Sequence, residues 1–243
     1  MRVKDESKTR TYFIIALCAL LFLSGCITPG AFIRNEESYS QNIPIKTKPT
    51  FLIFGEELLL NEYSLRYKGN IPNGTSYTIG TAGTAAIAYG RNILGRRYNL
   101  YKNGLQLYTV DITASDRKLH IGDITVTFDI EMAIIIHNND TIKEVYKVNF
   151  DKKTPYVQFK DSNLGEINFD FYKSTNKNNP KEVYEIFAGF QINANNEEYG
   201  IISIYYPALY KKTDTAVSDK MALYILSAYA HYYHYGRENI TSF

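Results

Sequence analysis

The sequence predicts a mainly β protein, an antiparallel β-barrel or sandwich of about 10–12 strands with one buried C-terminal α-helix. Three features carry that expectation. Period-two alternation of apolar and polar residues dominates the chain from Phe51 to Tyr206, the pattern of strands with one face on a core and the other in water. Clusters of Asn, Asp and Gly punctuate those runs at short intervals, as hairpin turns do. After Pro207 the alternation stops, and an apolar stretch free of Gly and Pro takes its place.

Taken in order, the first element is not a strand. Arg2, Lys4, Lys8 and Arg10 precede an uninterrupted apolar stretch from Tyr12 to Leu23, the charged and hydrophobic regions of a secretory signal. That stretch is short of the roughly 20 apolar residues that a membrane helix needs. It ends in Leu23-Ser24-Gly25-Cys26, which resembles the lipobox of bacterial lipoproteins. The resemblance implies that the Cys26 thiol is joined to diacylglycerol, that cleavage falls between Gly25 and Cys26, and that residues 1–25 leave. It implies an extracytoplasmic protein, lipid-anchored on the cell membrane or the outer membrane. Ile27, which is not aspartate, is similar to the default class directed to the outer membrane.

Cys18 would leave with the signal, so the mature chain would hold one cysteine, already consumed by lipid. No disulfide framework, thiol nucleophile or cysteine-based metal site is then expected. Burying several acyl chains, at about 0.8 kcal/mol per methylene, anchors a protein stably. Residues 26–48 carry Pro29, Gly30, Asn35, Glu36, Glu37, Ser38, Ser40, Gln41, Asn42 and Pro44, a composition read as a flexible tether. Residues 49–243 are read as a single β-rich domain.

Within that domain, Ile124, Val126, Phe128 and Ile130 alternate with Thr125, Thr127 and Asp129, and Ile167, Phe169 and Phe171 alternate with Asn168 and Asp170. Tyr184, Ile186, Ala188, Phe190 and Ile192 share one parity. Lys102-Asn103-Gly104 divides a strand at Tyr98–Tyr101 from one at Leu105–Ile112, and His137 to Asp140 divides Glu131–Ile136 from Thr141–Phe150. Asn193 to Glu197 separates the last two strands. Thr78 to Gly95, with four glycines among small residues, is read as tight packing or a loop. It matches neither a phosphate-binding loop nor a dinucleotide fingerprint. Asp219 to Tyr235 reads as a helix capped by Gly236. Its middle, Met221 to Ala230, is apolar on almost every side, so it predicts a buried helix that plugs a barrel rather than a membrane span.

Many antiparallel strands followed by a buried terminal helix resemble the tubby-like group, which includes LURP-one-related and scramblase-like proteins. Tyr98 to Tyr108 is similar to their strand-turn-strand units and Asp219 to Tyr235 to their terminal helix. The resemblance implies a closed barrel around a central helix and an association with lipid rather than hydrolysis. It assigns no functional residue to a position in this chain.

The precursor carries a formal charge of +2, and losing the signal removes four basic and two acidic side chains, leaving 23 of each. A neutral domain argues against a nucleic-acid partner. The local basic group, Arg91, Arg96 and Arg97, is a candidate contact for an anion or an anionic lipid. Tyrosine is abundant, 22 residues with no tryptophan. That suits strands and ligand stacking alike, with biased composition the plainer account.

Four histidines are present: His120 beside a strand, His137 in a turn, and His231 and His234 on one edge of the helix, with Glu238 one turn beyond. The last three could form a His-His-Glu metal site, but the preferred reading is an amphipathic helix end with no metal. Ser115 to Lys118 matches Ser-x-x-Lys in form only, and reads as a polar turn. No catalytic constellation and no cofactor is assigned. The expectation is a membrane-anchored envelope protein, non-catalytic, whose partners are a lipid surface, an envelope protein or a glycan. A metal-dependent envelope hydrolase and a structural or adhesive surface protein are the alternatives.

Overall fold

The computed structural model describes residues 36–49, 55–71, 76–82, 85–121, 124–138, 142–175 and 185–236. The expected signal and lipobox, with Gly25 and Cys26, and the metal-ligand candidate Glu238 lie outside them. A 3-10 turn at Glu36–Ser38 leads into thirteen strands: β1 (Gln41–Pro49), β2 (Glu56–Leu60), β3 (Tyr63–Asn70), β4 (Ser76–Ala82), β5 (Ala85–Lys102), β6 (Leu105–Ile121), β7 (Ile124–Asn138), β8 (Ile142–Val148), β9 (Val157–Asp161), β10 (Gly165–Thr175), β11 (Glu185–Ala194), β12 (Glu197–Ser203) and β13 (Ala208–Lys211). One helix follows, α1 (Asp219–His231), continued by a π-helical turn at Tyr232–Gly236.

Each strand pairs antiparallel with its neighbour in the order β3-β2-β1-β13-β12-β11-β10-β9-β8-β7-β6-β5, and β3 pairs with β5 to close the ring. Twelve strands thus form a closed barrel, and the sandwich alternative falls away. Closure leaves the ring without an edge. β4 continues along the β5 edge where β3 ends. The register pairs β3 with Arg96–Lys102 of β5, and β8 with Met132–Asn138 of β7. The remaining lengths of these long strands pair among β4, β5, β6 and β7, as a four-stranded ribbon that outruns the ring.

Hairpins turn where Asn and Gly allow it. Asn103 and Gly104 have φ of 49° and 86°, and Asn195 and Asn196 have 52° and 66°, positive values at both central residues as a twist-matched two-residue turn requires. Inward parity gives the core: Val110 and Ile112, Ile134 and Ile136, Ile167 and Phe169, and Phe190 and Ile192 are all fully buried.

The helix fills the barrel. The Ser218 hydroxyl caps it by accepting from the Met221 N–H at 3.2 Å, and Asp219 sits in the first turn where the helix dipole favours an anion. Every residue from Met221 to His231 is buried, so the expected plug is present. Each fully buried large aliphatic side chain contributes about 1.5–3 kcal/mol. Tyrosines from the wall tie the helix along its length. Tyr63 OH donates to Asp219 at 2.7 Å, Tyr156 OH meets His231 Nδ1 at 2.7 Å, and Tyr98 OH meets His234 Nε2 at 2.8 Å. From the helix, Tyr224 OH donates to Asp161 at 3.2 Å. Part of the tyrosine content therefore has a structural use: an aromatic body in the core with a hydroxyl that finds a partner.

Several expectations need correction. The tether does not extend to residue 48, because Gln41–Pro49 is a barrel strand between β13 and β2. Its inward residues Ile43 and Ile45 are buried, and Pro44 lies outside the β1–β2 register, which begins at Ile45, so its missing N–H breaks no rung there. Thr78 to Gly95 is not a loop but most of the β4–β5 hairpin. Close packing does hold at Gly95, where a Cβ would come within 2.6 Å of Ile71. Ser115 to Lys118 is strand rather than turn, and so is His137, near the end of β7. The helix is α-helical only to His231 before its last turn widens.

Candidate functional site

Most polar groups of the lumen are committed to one another, while Tyr199 OH, Ser227 Oγ and His231 Nε2 are buried without a hydrogen-bond partner among the described residues. At the mouth beside the helix end, Glu56 Oε1 accepts from Tyr98 at 3.0 Å and is bonded to His234 Nε2. Burial alone would raise the Glu56 carboxyl, yet His234, Tyr98 and Arg96 outweigh it and hold the group below its usual range. Desolvation lowers His231 to about 3, against a smaller opposite effect of the Thr113 backbone. The proposed metal ligands are thus separated in role, His231 bound to Tyr156 and His234 to Glu56 and Tyr98. Among the described residues no three His, Cys, Asp or Glu side chains are grouped to hold a metal.

The outer wall is different. A cleft of about 540 Å³ crosses β3, β5, β6 and β7, lined by Lys68, Arg97, Asn99, Gln106, Thr109 and His137 among others. Two irregularities flank β5 there. Lys68 is the extra residue where the β3–β5 register shifts between Tyr67 and Gly69, and Leu107 is the extra residue where the β5–β6 register shifts. Such bulges bend a strand and re-aim a side chain. Gly69, with φ of 148°, supplies the backbone freedom beside the first.

Beneath the cleft lies Asp111, 4% exposed and directly across from Arg97 in register. Arg97 donates to both carboxylate oxygens, Nε to Oδ1 at 2.7 Å and Nη2 to Oδ2 at 2.8 Å, and His137 Nε2 donates to Oδ2 at 2.9 Å. Desolvation pushes the Asp111 carboxyl up, but these charged and polar donors prevail and its pKa is lowered. A bidentate pair of this kind fixes the guanidinium plane. Beside it, a ring of side chains is closed by Asn99 Nδ2 donating to Gln106 Oε1 at 2.7 Å, Gln106 Nε2 to Thr109 Oγ1 at 3.4 Å, and Thr109 Oγ1 to Asn99 Oδ1 at 3.1 Å. Lys68 is exposed and has no hydrogen-bonding partner among the described residues.

This arrangement suits holding a ligand better than cleaving one. Thr109 is the hydroxyl paired across from His137, and its proton goes to Asn99 rather than to the imidazole. The Asp111–His137 pair thus lacks the neighbouring activated hydroxyl that nucleophilic catalysis uses. What faces the solvent is the Lys68 ammonium, unpaired among the described residues, the oriented Arg97 guanidinium and the Gln106 amide, with Asn99 buried behind it.

The three arginines expected together are dispersed. Arg97 faces the cleft. Arg96, one residue away on a strand and so on the opposite face, lies with its guanidinium 5.4 Å from the Tyr67 ring centre. Arg91 pairs with Ser76 and Arg117 in the ribbon, about 20 Å from Arg97 at a strand rise near 3.3 Å per residue. Sequence reasoning missed Lys68, Asn99, Gln106, Thr109 and Asp111, and placed His137 in a turn. The available signal was Asp111 itself, a lone carboxylate between Val110 and Ile112 in a run expected to be strand. No family model, curated protein or solved structure matches this chain.

Proposed function

We propose that this chain is a lipoprotein of the cell envelope, held by acylated Cys26 on the outer face of the cell membrane or on the outer membrane. Its barrel is a non-catalytic module that binds an anionic group of another envelope component in the Lys68–Arg97 cleft. The observation that carries the binding half is the bulge at Lys68, which brings an unpaired ammonium to a cleft whose second cation is already oriented by Asp111. The anchor half rests on the order of charges, apolar run and Leu23-Ser24-Gly25-Cys26. The stretch from Cys26 to Glu36, where the 3-10 turn begins, could span up to about 35 Å if extended, enough to let the barrel stand off a membrane. The antiparallel ring around a terminal helix supports a tubby-like architecture for the barrel.

Residues 27–243 contain all of the described fold, so the binding half can be tested on that piece. Amide shifts in its NMR spectrum, followed as acetate and then inorganic phosphate are added, should localise to Lys68, Arg97 and Gln106 and vanish in Lys68→Met. Shifts that spread evenly, or that persist in Lys68→Met, would remove the cleft as the site. Mass spectrometry of the full chain and of Cys26→Ser tests the anchor: only the parent should carry the mass of diacylglycerol at residue 26.

A further inference from the structure

We infer that the group held in the cleft is the carboxylate of an acidic sugar in an envelope glycan, an inference that rests on the anion-binding reading above. Charge decides the first half. Lys68 and Arg97 bring two positive charges and Asp111 one negative, a formal balance of +1 over these three groups. That balance matches a monoanion. A phosphate dianion would meet the Asp111 carboxylate without a second free cation to offset it. A lipid surface asks for still more, since adhesion to anionic bilayers gains only about 1 kcal/mol per basic residue and is built from clusters of them. The mature chain has 23 basic and 23 acidic side chains, and its three candidate arginines are spread over two faces and about 20 Å.

Hydrogen-bonding chemistry decides the second half. The floor beside Arg97 is made of Asn99, Gln106 and Thr109, whose ring of mutual bonds fixes them; Gln106 Oε1 also accepts from Tyr101 OH at 3.4 Å, which leaves one lone pair of Asn99 Oδ1 and one Gln106 N–H outside these bonds. Amides present acceptors as well as donors. A simple anion has no use for acceptors, whereas adjacent sugar hydroxyls donate and accept at once. Leu107 adds a partly buried apolar edge, against which the C–H face of a pyranose can rest. A carboxylate between Lys68 and Arg97, with hydroxyls over the amide ring, uses every group that the cleft exposes.

The test is calorimetry on the full chain in detergent, with three probes: a glucuronic acid-containing disaccharide, the neutral glucose disaccharide of the same linkage, and inorganic phosphate. Flotation with phosphatidylglycerol vesicles runs alongside. The acidic disaccharide should bind at least about ten-fold tighter than the neutral one and than phosphate. Lys68→Met should erase the preference for the acid, and Gln106→Glu, exposed and outside the ion pair, should weaken the acid more than the neutral sugar. Phosphate or vesicles binding more tightly than the acidic sugar, in a Lys68-dependent way, would overturn the sugar inference and leave anion recognition standing. No probe binding with any dependence on Lys68 would overturn both.

Discussion

His231 offers a direct measure of how completely the barrel seals its helix. The imidazole is fully buried, with Nδ1 against Tyr156 OH at 2.7 Å, and burial takes its pKa down to about 3 from an ordinary 6.5. Between those values the unfolded chain binds one proton more than the folded chain. Acid therefore favours unfolding: stability that is whole above about pH 7 is lost as the pH falls below 6.5, and goes on falling until the folded imidazole itself titrates near pH 3. With 1.36 kcal/mol per pKa unit, the loss between pH 8 and pH 5 amounts to about 2 kcal/mol. At pH 5 this magnitude is set almost wholly by the unfolded value, because the folded imidazole is still neutral there. The assay is urea unfolding of the parent and of His231→Gln across pH 8 to 5. The variant loses the Tyr156 contact and starts less stable, but its pH dependence should be shallower by about 2 kcal/mol over that span. Parallel curves would refute the reasoning, because they would mean that His231 is protonated in place and that water reaches the plug.

Two other changes probe the wall. Gly189 has φ of 152°, and a Cβ there would lie 1.8 Å from the Ile202 carbonyl oxygen; Gly189→Ala should cost at least about 2 kcal/mol, read as a lowered thermal midpoint, and an unchanged midpoint would contradict the close approach of β11 and β12. Lys211 is fully buried, with its ammonium bonded to the carbonyls and hydroxyls of Thr213 and Thr215; Lys211→Met removes these charge-assisted bonds, costs about 1–3 kcal/mol, and should speed amide exchange over residues 212–217 while leaving β3 and β5 protected.

The fold was largely legible because its signals are local. Alternation marks a half-wet strand within a few residues, and Asp219 to Tyr235 has too little polarity to be anything but interior. What escaped was short or mixed. β13 is four residues long and follows Pro207 directly. β1 buries only Ile43 and Ile45 of its nine residues, so its polar composition outweighed its parity. The cleft was illegible for a different reason. Arg97 and Asp111 are 14 residues apart, and Asp111 and His137 are 26 apart; their adjacency is set by the register of two successive hairpins. A one-residue slip in either would send these side chains to opposite faces. The bulge at Lys68 changes the register of only one pair of strands, and no residue type announces it.

The helix also bears on where function can reside. A small barrel whose interior is empty can take its ligand there, as many do, but here Met221 to His231 occupy that space and Tyr63, Tyr98 and Tyr156 bind the helix to the wall. Stability is thereby assigned to the inward parity, and the outward one is left for the binding proposed above. On a strand these two sets of positions alternate, so Tyr98 and Leu100 can be fixed by the core while Arg97 and Asn99, at the alternate positions, belong to the outer wall and the cleft. A wall that is convex on its outside still needs a concavity to exclude water from a bound group. The paired bulges on either side of β5 provide one, and the cleft lies between them. The arrangement predicts separability: outward changes such as Lys68→Met should alter binding with less than about 0.5 kcal/mol in stability, the usual range for exposed positions. A loss of several kcal/mol on changing Lys68 would mean that the bulge is held by its side chain, and the division of labour between the two faces would fail.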